Sequence, residues 1–365
     1  MKKFFIILAA TALVVAFTLP AAAQSDFSLY GSVHMDTMIT DTSQPANTGL
    51  RDTDPLTWDL SVGNWSSFGA RIKVDDKLSG TIEWRSPAGG YLADDLNQSA
   101  WTGTYNMGFA TLRLGRWWMP SFNPPPAWMV DSCGNFIISV QEPRIALEGI
   151  KLGPVMFQIT AAQAGESAIG GWVTEQTMPK LEARADFNFG PIGFSLLGGY
   201  YSYDLYSNAT TTALSRDVDS NFLGAIGTFS TGPFFFRASY VKVNNPTVYG
   251  GPPGAAGAIA AQFDVNNNIV DADRTLWQAW VTYTLNPMIS FNLCYGESEY
   301  EQDIGGFNNT DDQSGWFFTV PINITKNFTI RLEYSKLDNE DYVFNNVSVP
   351  QTDVTKYGAR WIFFF

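Results

Sequence analysis

Three features of the sequence predict an all-β fold, a transmembrane antiparallel β-barrel of about 16 strands with short turns at one rim and long loops at the other. Apolar and polar residues alternate with period two in one segment after another, which is the pattern of strands with two different environments on their faces. After Ala23 no apolar run approaches the ~20 residues that a spanning helix needs. The chain ends on Tyr357 to Phe365, YGARWIFFF, where Tyr357, Ala359, Trp361, Phe363 and Phe365 form one wholly apolar face. Backbone polar groups find no water in lipid, so a chain without spanning helices crosses only as a closed barrel. A terminal strand with such a face needs a partner, because an unpaired apolar edge templates aggregation.

The beginning of the chain sets its destination. Lys2 and Lys3 precede an apolar run from Phe4 to Leu19, and Ala21, Ala22 and Ala23 follow it, the pattern of a secretory signal peptide over residues 1–23 with an A-x-A cleavage site. Its removal leaves residues 24–365 as one domain of 365 − 23 = 342 residues, and loss of the two lysines takes the formal charge from −13 to −15. Neither a linker nor a change of composition divides the rest. An acidic balance without a basic stripe excludes the usual basis of nucleic-acid affinity.

In chain order, the first segment (27–40) puts Leu29, Gly31, Val33, Met35 and Ile39 on one face and Tyr30, Ser32, His34 and Asp36 on the other. An acidic loop to about Ser66 follows. The next two segments, 66–74 and 78–85, form a hairpin over Asp75-Asp76-Lys77, with Phe68, Ala70, Ile72, Val74, Leu78, Gly80, Ile82 and Trp84 against a charged face. Further segments are read at 98–104, 109–117, 143–150, 155–163, 180–189, 192–203, 217–229, 234–244, 273–285, 289–300, 314–322, 328–337 and 353–365. Gly153-Pro154, Gly190-Pro191, Gly232-Pro233 and Asn286-Pro287 supply the tight turns, since Pro fixes φ and Gly permits sharp geometry. In segment 180–189, Leu181, Ala183, Ala185, Phe187 and Phe189 alternate strictly with Lys180, Glu182, Arg184, Asp186 and Asn188. On a lipid face each such charge costs about 2–4 kcal/mol near the midplane, so the charged faces belong to a wet lumen. Trp65, Trp101, Trp117, Trp277, Trp316 and Trp361, near segment ends, are expected in interfacial girdles.

Three stretches carry a resemblance. The terminal YGARWIFFF resembles the closing strand of Gram-negative outer-membrane barrels, whose aromatics, here Tyr357, Trp361, Phe363 and Phe365, are read by the barrel assembly machinery. SSFGARIKVDDKLSGTIEWR, Ser66 to Arg85, and FATLRLGRWWMPSF, Phe109 to Phe122, are similar to the second hairpin and the fifth strand of general, trimeric, sixteen-stranded porins. The resemblance implies an outer-membrane homotrimer, in contact with lipid and lipopolysaccharide, that lets ions and small hydrophilic solutes diffuse through a water-filled channel. It also implies a third loop, about Trp118 to Glu142, folded into the pore. Here the chain departs from the family's acidic loop: Asp131 is its only acid before Glu142, and Pro120, Pro124, Pro125 and Pro126 stiffen it. Trp118, Phe122 and Trp128 either line a stacking surface for sugars or aromatic solutes or pack the loop against the wall.

Arg71, Arg85, Arg113, Arg116, Arg360 and Asp131 are the expected constriction set. Arg116 is out of phase with Arg113, and a bulge at Gly115 is expected to turn both inward. By phase, twelve bases face the lumen against five acids, Glu83, Glu148, Glu182, Asp186 and Glu333, so a weak anion preference is expected. The remaining acids fall mainly in the long loops, as at Asp52, Asp54, Asp59, Asp94, Asp95, Asp311 and Asp312. Cys133 in loop three and Cys294, with inward phase, are a candidate disulfide in an oxidising compartment, or two separate thiols. His34 is the only histidine, and no nucleophile motif, metal-ligand spacing or phosphate loop is present, so neither enzymatic chemistry nor a cofactor is expected. A non-channel adhesin or structural barrel, or a porin preferring sugars or anions, is the alternative.

Overall fold

In the computed structural model, residues 26–43, 57–62, 66–85, 97–122, 141–163, 173–176, 178–206, 215–246, 262–263, 268–304, 307–340, 342–344, 347–349 and 351–365 are described. The proposed signal peptide, Trp65, Trp128, Asp131 and Cys133 lie outside them. Among the described residues, 16 long strands form the wall: β1 Asp26–Ser43, β2 Ser67–Lys73, β3 Leu78–Arg85, β4 Asn97–Asn106, β5 Thr111–Trp118, β6 Gln141–Leu152, β7 Val155–Ala162 and β8 Lys180–Phe189, followed by β9 Ile192–Tyr206, β10 Ser215–Thr231, β11 Phe234–Asn244, β12 Asp273–Asn286, β13 Ile289–Ile304, β14 Gln313–Thr325, β15 Phe328–Asn339 and β16 Asp353–Phe364. Each pairs antiparallel with the next, and β16 returns to β1 from Ser32↔Phe364 to Ser43↔Asp353. The barrel is closed, which leaves no ladder edge facing lipid.

Turn chemistry sets the short rim. Two-residue turns join β6 to β7, β8 to β9 and β10 to β11, and their glycines Gly153, Gly190 and Gly232 have φ of 61°, 65° and 52°, as turns matched to strand twist require. At the Asp75 turn, the carboxylate oxygen Oδ1 accepts the N–H groups of Lys77 and Leu78, both at 2.7 Å.

The outer face inverts the burial of a soluble protein. Leu29, Phe109, Ile145 and Leu223 are 60–71% exposed, as side chains meant for hydrocarbon are. Two aromatic belts bound this band. The upper one runs through Tyr240 opposite Trp277, Tyr295 opposite Trp316 and Tyr334 opposite Tyr357. The lower one includes Phe187 with Phe194, Phe229 with Phe236 and Phe328 with Phe363. Trp277, Trp316 and Trp361 take girdle positions, but Trp117 does not. It pairs with Glu142 on the lumen phase, and the Arg113 guanidinium lies 4.9 Å from its ring centroid.

Beyond the wall, several short strands were not foreseen. Thr57–Val62 continues β2 along β1; its residues do alternate, Trp58, Leu60 and Val62 against Thr57, Asp59 and Ser61, a signal passed over in reading the stretch as part of an acidic loop. Ser66 bridges the interruption, its Oγ accepting from His34 N–H at 2.9 Å and donating to His34 C=O at 3.1 Å. Val173–Gln176 pairs with the top of β9, and Phe307–Thr310 pairs with the top of β13 and with the Tyr342–Phe344/Val347–Val349 hairpin, so all of these raise the wall. A further hairpin, Gln262–Phe263 with Ile269–Val270, belongs to a separate two-stranded sheet.

The expected bulge at Gly115 is not found. Pairing with β4 and with β6 continues through it without a shift, and Gly115 instead takes a φ of 116°. A Cβ there would collide with the carbonyl oxygen of Trp101. Closeness of two backbones, rather than an inserted residue, explains this glycine.

Candidate functional site: the lumen wall

Inward-pointing side chains divide the wall into two arcs. On β9 to β14 the inner face carries three apolar clusters among polar side chains that include Arg237, Arg274, Gln278 and Asn292: Leu197, Phe222, Ile226, Val241, Val243 and Leu276 form one buried cluster, Tyr201, Tyr203, Leu205 and Val218 a second, and Trp280, Cys294 and Phe317 a third. On β15, β16 and β1 to β8 the inner face is charged. Cys294 has the inward phase read from its sequence and is packed beside Trp280 and Phe317.

The charged arc is a connected network. The Arg71 guanidinium lies 4.4 Å from the Tyr30 ring centroid, and Tyr30 OH donates to Glu83 Oε2 at 3.0 Å. Glu83 Oε1 accepts from Arg85 Nη2 at 3.0 Å and from Ser99 Oγ at 2.8 Å. Arg113 Nε donates to both oxygens of Glu148 at 3.0 Å, and Arg144 pairs with the same carboxylate. Toward the periplasmic opening, Arg71, Lys73, Asp26, Thr81 and Thr104 line a cavity of about 380 Å³.

After β5 the chain turns inward and reaches the opposite side of this arc. Trp118 and Phe122 stack with centroids 3.8 Å apart, and the Arg85 guanidinium lies 5.6 Å from the Trp118 ring. Arg184 Nη1 on β8 donates to Phe122 C=O at 3.4 Å, and Ser121 N–H donates to Glu182 Oε2 at 2.9 Å. Lys180, fully buried, sits 2.7 Å from Glu142 Oε2 and 3.5 Å from Glu182 Oε1. A buried amine is tolerated only when paired, and here two carboxylates flank it. The stem of loop three is therefore clamped between β3 and β8, with Met119 and Ser121 each 2% exposed.

At the seam between β16 and β1, Arg360 donates through Nε and Nη2 to Asp36 at 2.6 and 2.7 Å, a buried bidentate pair. Arg331 stands directly opposite Arg360 on β15, 9% exposed, and its Nε and Nη1 have no hydrogen-bond partner among the described residues.

Of the expected constriction residues, Arg71, Arg85, Arg113 and Arg360 project into the lumen from β2, β3, β5 and β16. Among the described residues, Arg85 reaches the loop-three stem, while Arg360 is taken up by Asp36. Arg116 pairs in register with Trp101 and Pro143 and is exposed. Sequence reasoning passed over Arg331 as a constriction residue and left Asp36 and Glu142 out of the lumen acids. Strict alternation was the available signal for Asp36. Away from the strand ends, eleven bases face inward (Arg71, Arg85, Arg113, Arg144, Lys180, Arg184, Arg237, Arg274, Arg331, Lys356 and Arg360) against seven acids (Asp36, Glu83, Glu142, Glu148, Glu182, Asp186 and Glu333), an excess of 11 − 7 = 4.

A closed barrel of this size with an apolar belt outside and a charged inner arc is an outer-membrane channel for passive diffusion. Residues 9–342 match the family model described as Gram-negative porin, and the chain belongs to that family. Among solved structures it is similar to the outer-membrane channel DcaP of Acinetobacter baumannii, with 18% identity, a TM-score of 0.73 and coverage of 95% of this chain and 99% of that one. OmpT of Vibrio cholerae, at 12% identity and a TM-score of 0.60, covers 95% and 100%. The anion-selective porin from Comamonas acidovorans, at 14% identity and a TM-score of 0.61, covers 94% and 100%. No curated protein matches.

Proposed function

We propose that this porin is a homotrimeric, non-enzymatic channel with a weak preference for anions. The observation that carries the preference is the excess of four bases on the lumen wall, among them Arg331, whose Nε and Nη1 have no hydrogen-bond partner among the described residues. A lumen wall of one charge sign attracts ions of the other. The acids of the upper rim lie elsewhere: Asp219, Glu297, Glu299 and Glu301 share the outward phase of the aromatic belt, where Tyr200 OH donates to Asp219 at 2.6 Å and Trp277 Nε1 to Glu297 at 2.9 Å. They face the lipid headgroup layer, which is consistent with lipopolysaccharide and its cations as neighbours. Reversal potentials in a salt gradient test the preference. A modest bias toward anions is expected, and clear cation selectivity overturns it.

One of the similar structures is a trimer form of OmpT, and the same assembly is proposed for this chain. Conductance is then expected to rise in groups of three steps, with single independent steps contradicting it. Export by a cleaved segment 1–23 and delivery by the barrel assembly machinery are part of the same proposal. For a Cys133–Cys294 bond, mass spectrometry of unreduced, alkylated protein decides: two alkylated cysteines rule it out.

A further inference from the structure

We propose that the cavity at the periplasmic end of the lumen is a binding station for polyhydroxylated carboxylates of the sugar-acid kind, with Arg71 holding the carboxylate. The proposal rests on the porin reading and gives one place in the channel a solute class. Arg71 differs from its neighbours in how its guanidinium is engaged. Arg85, Arg113, Arg144, Arg184 and Arg360 each pair with a carboxylate of the wall. Arg71 has no carboxylate within ion-pair distance among the described residues, and its side chain is exposed. Its guanidinium lies over the Tyr30 ring, 4.4 Å from the centroid, and Tyr30 is itself anchored through its OH to Glu83 Oε2 at 3.0 Å. A fork steadied on an aromatic face and open to water gives up little freedom when it takes a planar carboxylate through two parallel N–H···O bonds. Arg331 also has unpartnered nitrogens among the described residues, but at 9% exposed it is far less open to a passing solute.

Charge and chemistry narrow the ligand. Three bases around the cavity, Arg71, Lys73 and Lys77, are matched by three acids, Asp26, Asp75 and Asp76. Lys73 is spent on Asp76 at 2.8 Å and stands in register with Asp26, so the lining offers one free fork and no surplus charge besides. A dianionic phosphate would set its second charge against Asp26 and Asp76, whereas a carboxylate carries only the one that the fork takes up. The rest of the lining is hydroxyl. Ser28 stands directly opposite Arg71 on β1 and Thr81 directly opposite it on β3, so the fork has a hydroxyl side chain on either hand. Below them Ser79 and Thr104 pair at 2.6 Å. A hydroxyl both donates and accepts, which is what the hydroxyls of a sugar acid require of a partner. At about 380 Å³ the cavity lies near the lower end of the range of about 300–1,000 Å³ for small-molecule sites, room for one sugar ring rather than an oligosaccharide.

The test is solute block of ion current through single channels in planar bilayers. Glucuronate, glucose, acetate and glucose 6-phosphate are added in turn on the periplasmic side, and the concentration for half-maximal block is read for wild type, Arg71→Gln, Thr81→Val and Arg331→Gln. Expected is saturable block of wild type by glucuronate, while glucose and acetate, which carry only the hydroxyls or only the carboxylate, and the dianionic glucose 6-phosphate need about tenfold more. For glucuronate, Arg71→Gln is expected to raise the value about tenfold and Thr81→Val about threefold, whereas Arg331→Gln, which removes a base elsewhere on the wall, changes it by no more than about twofold. If Arg71→Gln yields no heat-modifiable barrel, Arg71→Lys keeps the charge without the fork and is expected to weaken block about threefold or more. Block that does not saturate, equal shifts in Arg71→Gln and Arg331→Gln, or equal block by acetate or glucose 6-phosphate overturns the proposal. Absence of ion conductance in the wild type would instead overturn the channel reading itself.

Discussion

Arg331 and Arg360 oppose each other across β15 and β16, and two like charges in such a position repel unless something compensates them. Arg360 has that compensation in Asp36, and both side chains are nearly or fully buried. Removing one partner of a buried pair leaves an uncompensated charge, at a cost of about 3–5 kcal/mol. Arg360→Leu is therefore expected to lower the urea midpoint of the barrel in gel-shift unfolding, and Asp36→Leu on the same chain to restore much of it. Failure of the second change to restore stability would mean that the pair is not the seat of the effect. Arg331 Nε and Nη1 have no such partner among the described residues, so Arg331→Gln is expected to leave stability nearly unchanged while reducing the anion-to-cation permeability ratio, by roughly half if one of a few uncompensated charges is lost. An unaltered reversal potential would remove Arg331 from the selectivity argument. The sequence showed that both arginines face inward. It did not show which one has a counter-ion, because that depends on a contact 324 residues apart between the first and last strands.

At the scale of the element, all 16 long strands lie where alternation placed them, since hydrocarbon on one side and a wet, charged interior on the other impose period two on each. Most of the short rim strands span two to four residues, too few for alternation to mark off from a loop, whereas Thr57–Val62 alternates over six and was legible. Loop three's stem was legible as a loop that enters the pore. Its clamp was not: Lys180, Glu142 and Glu182 come together only when β6 and β8 are placed beside the turn after β5. Gly115 was noticed for the wrong cause, as an inserted residue rather than a close approach of β4 and β5. Gly115→Val is expected to destabilise the barrel by about 1–3 kcal/mol or more, combining a φ that β-branched residues avoid with a collision against Trp101 C=O. Heat-modifiability on gels measures it, and wild-type behaviour would show that β5 can move aside.

Closure of the whole molecule runs through Phe365. Gly31 N–H donates to Phe365 C=O at 3.0 Å and Phe365 N–H donates to Gly31 C=O at 3.1 Å, so Phe365 adds a rung to the ladder that joins β16 to β1. A Cβ at Gly31 would meet both the tip of the Phe365 ring and the Ser67 carbonyl oxygen, and the second, being backbone, has little room to move, which explains the glycine there. The neighbouring Phe363 stacks on Phe328, with centroids 4.5 Å apart, and Trp361 Nε1 donates to Thr37 Oγ1 at 3.1 Å. Two roles of Phe365, backbone closure and recognition of its ring during assembly, are separable. Phe365→Ala keeps both backbone bonds, so it is expected to fold into vesicles in vitro much as wild type does, yet to reach the outer membrane in reduced yield. Deleting Phe365 removes the rung and exposes the Gly31 peptide groups near lipid, where an unsatisfied group costs several kcal/mol, so it is expected to lower folding in both settings. Equal yields of Phe365→Ala and wild type in cells would show that the ring is not read, leaving Tyr357, Trp361 and Phe363 as the assembly signal.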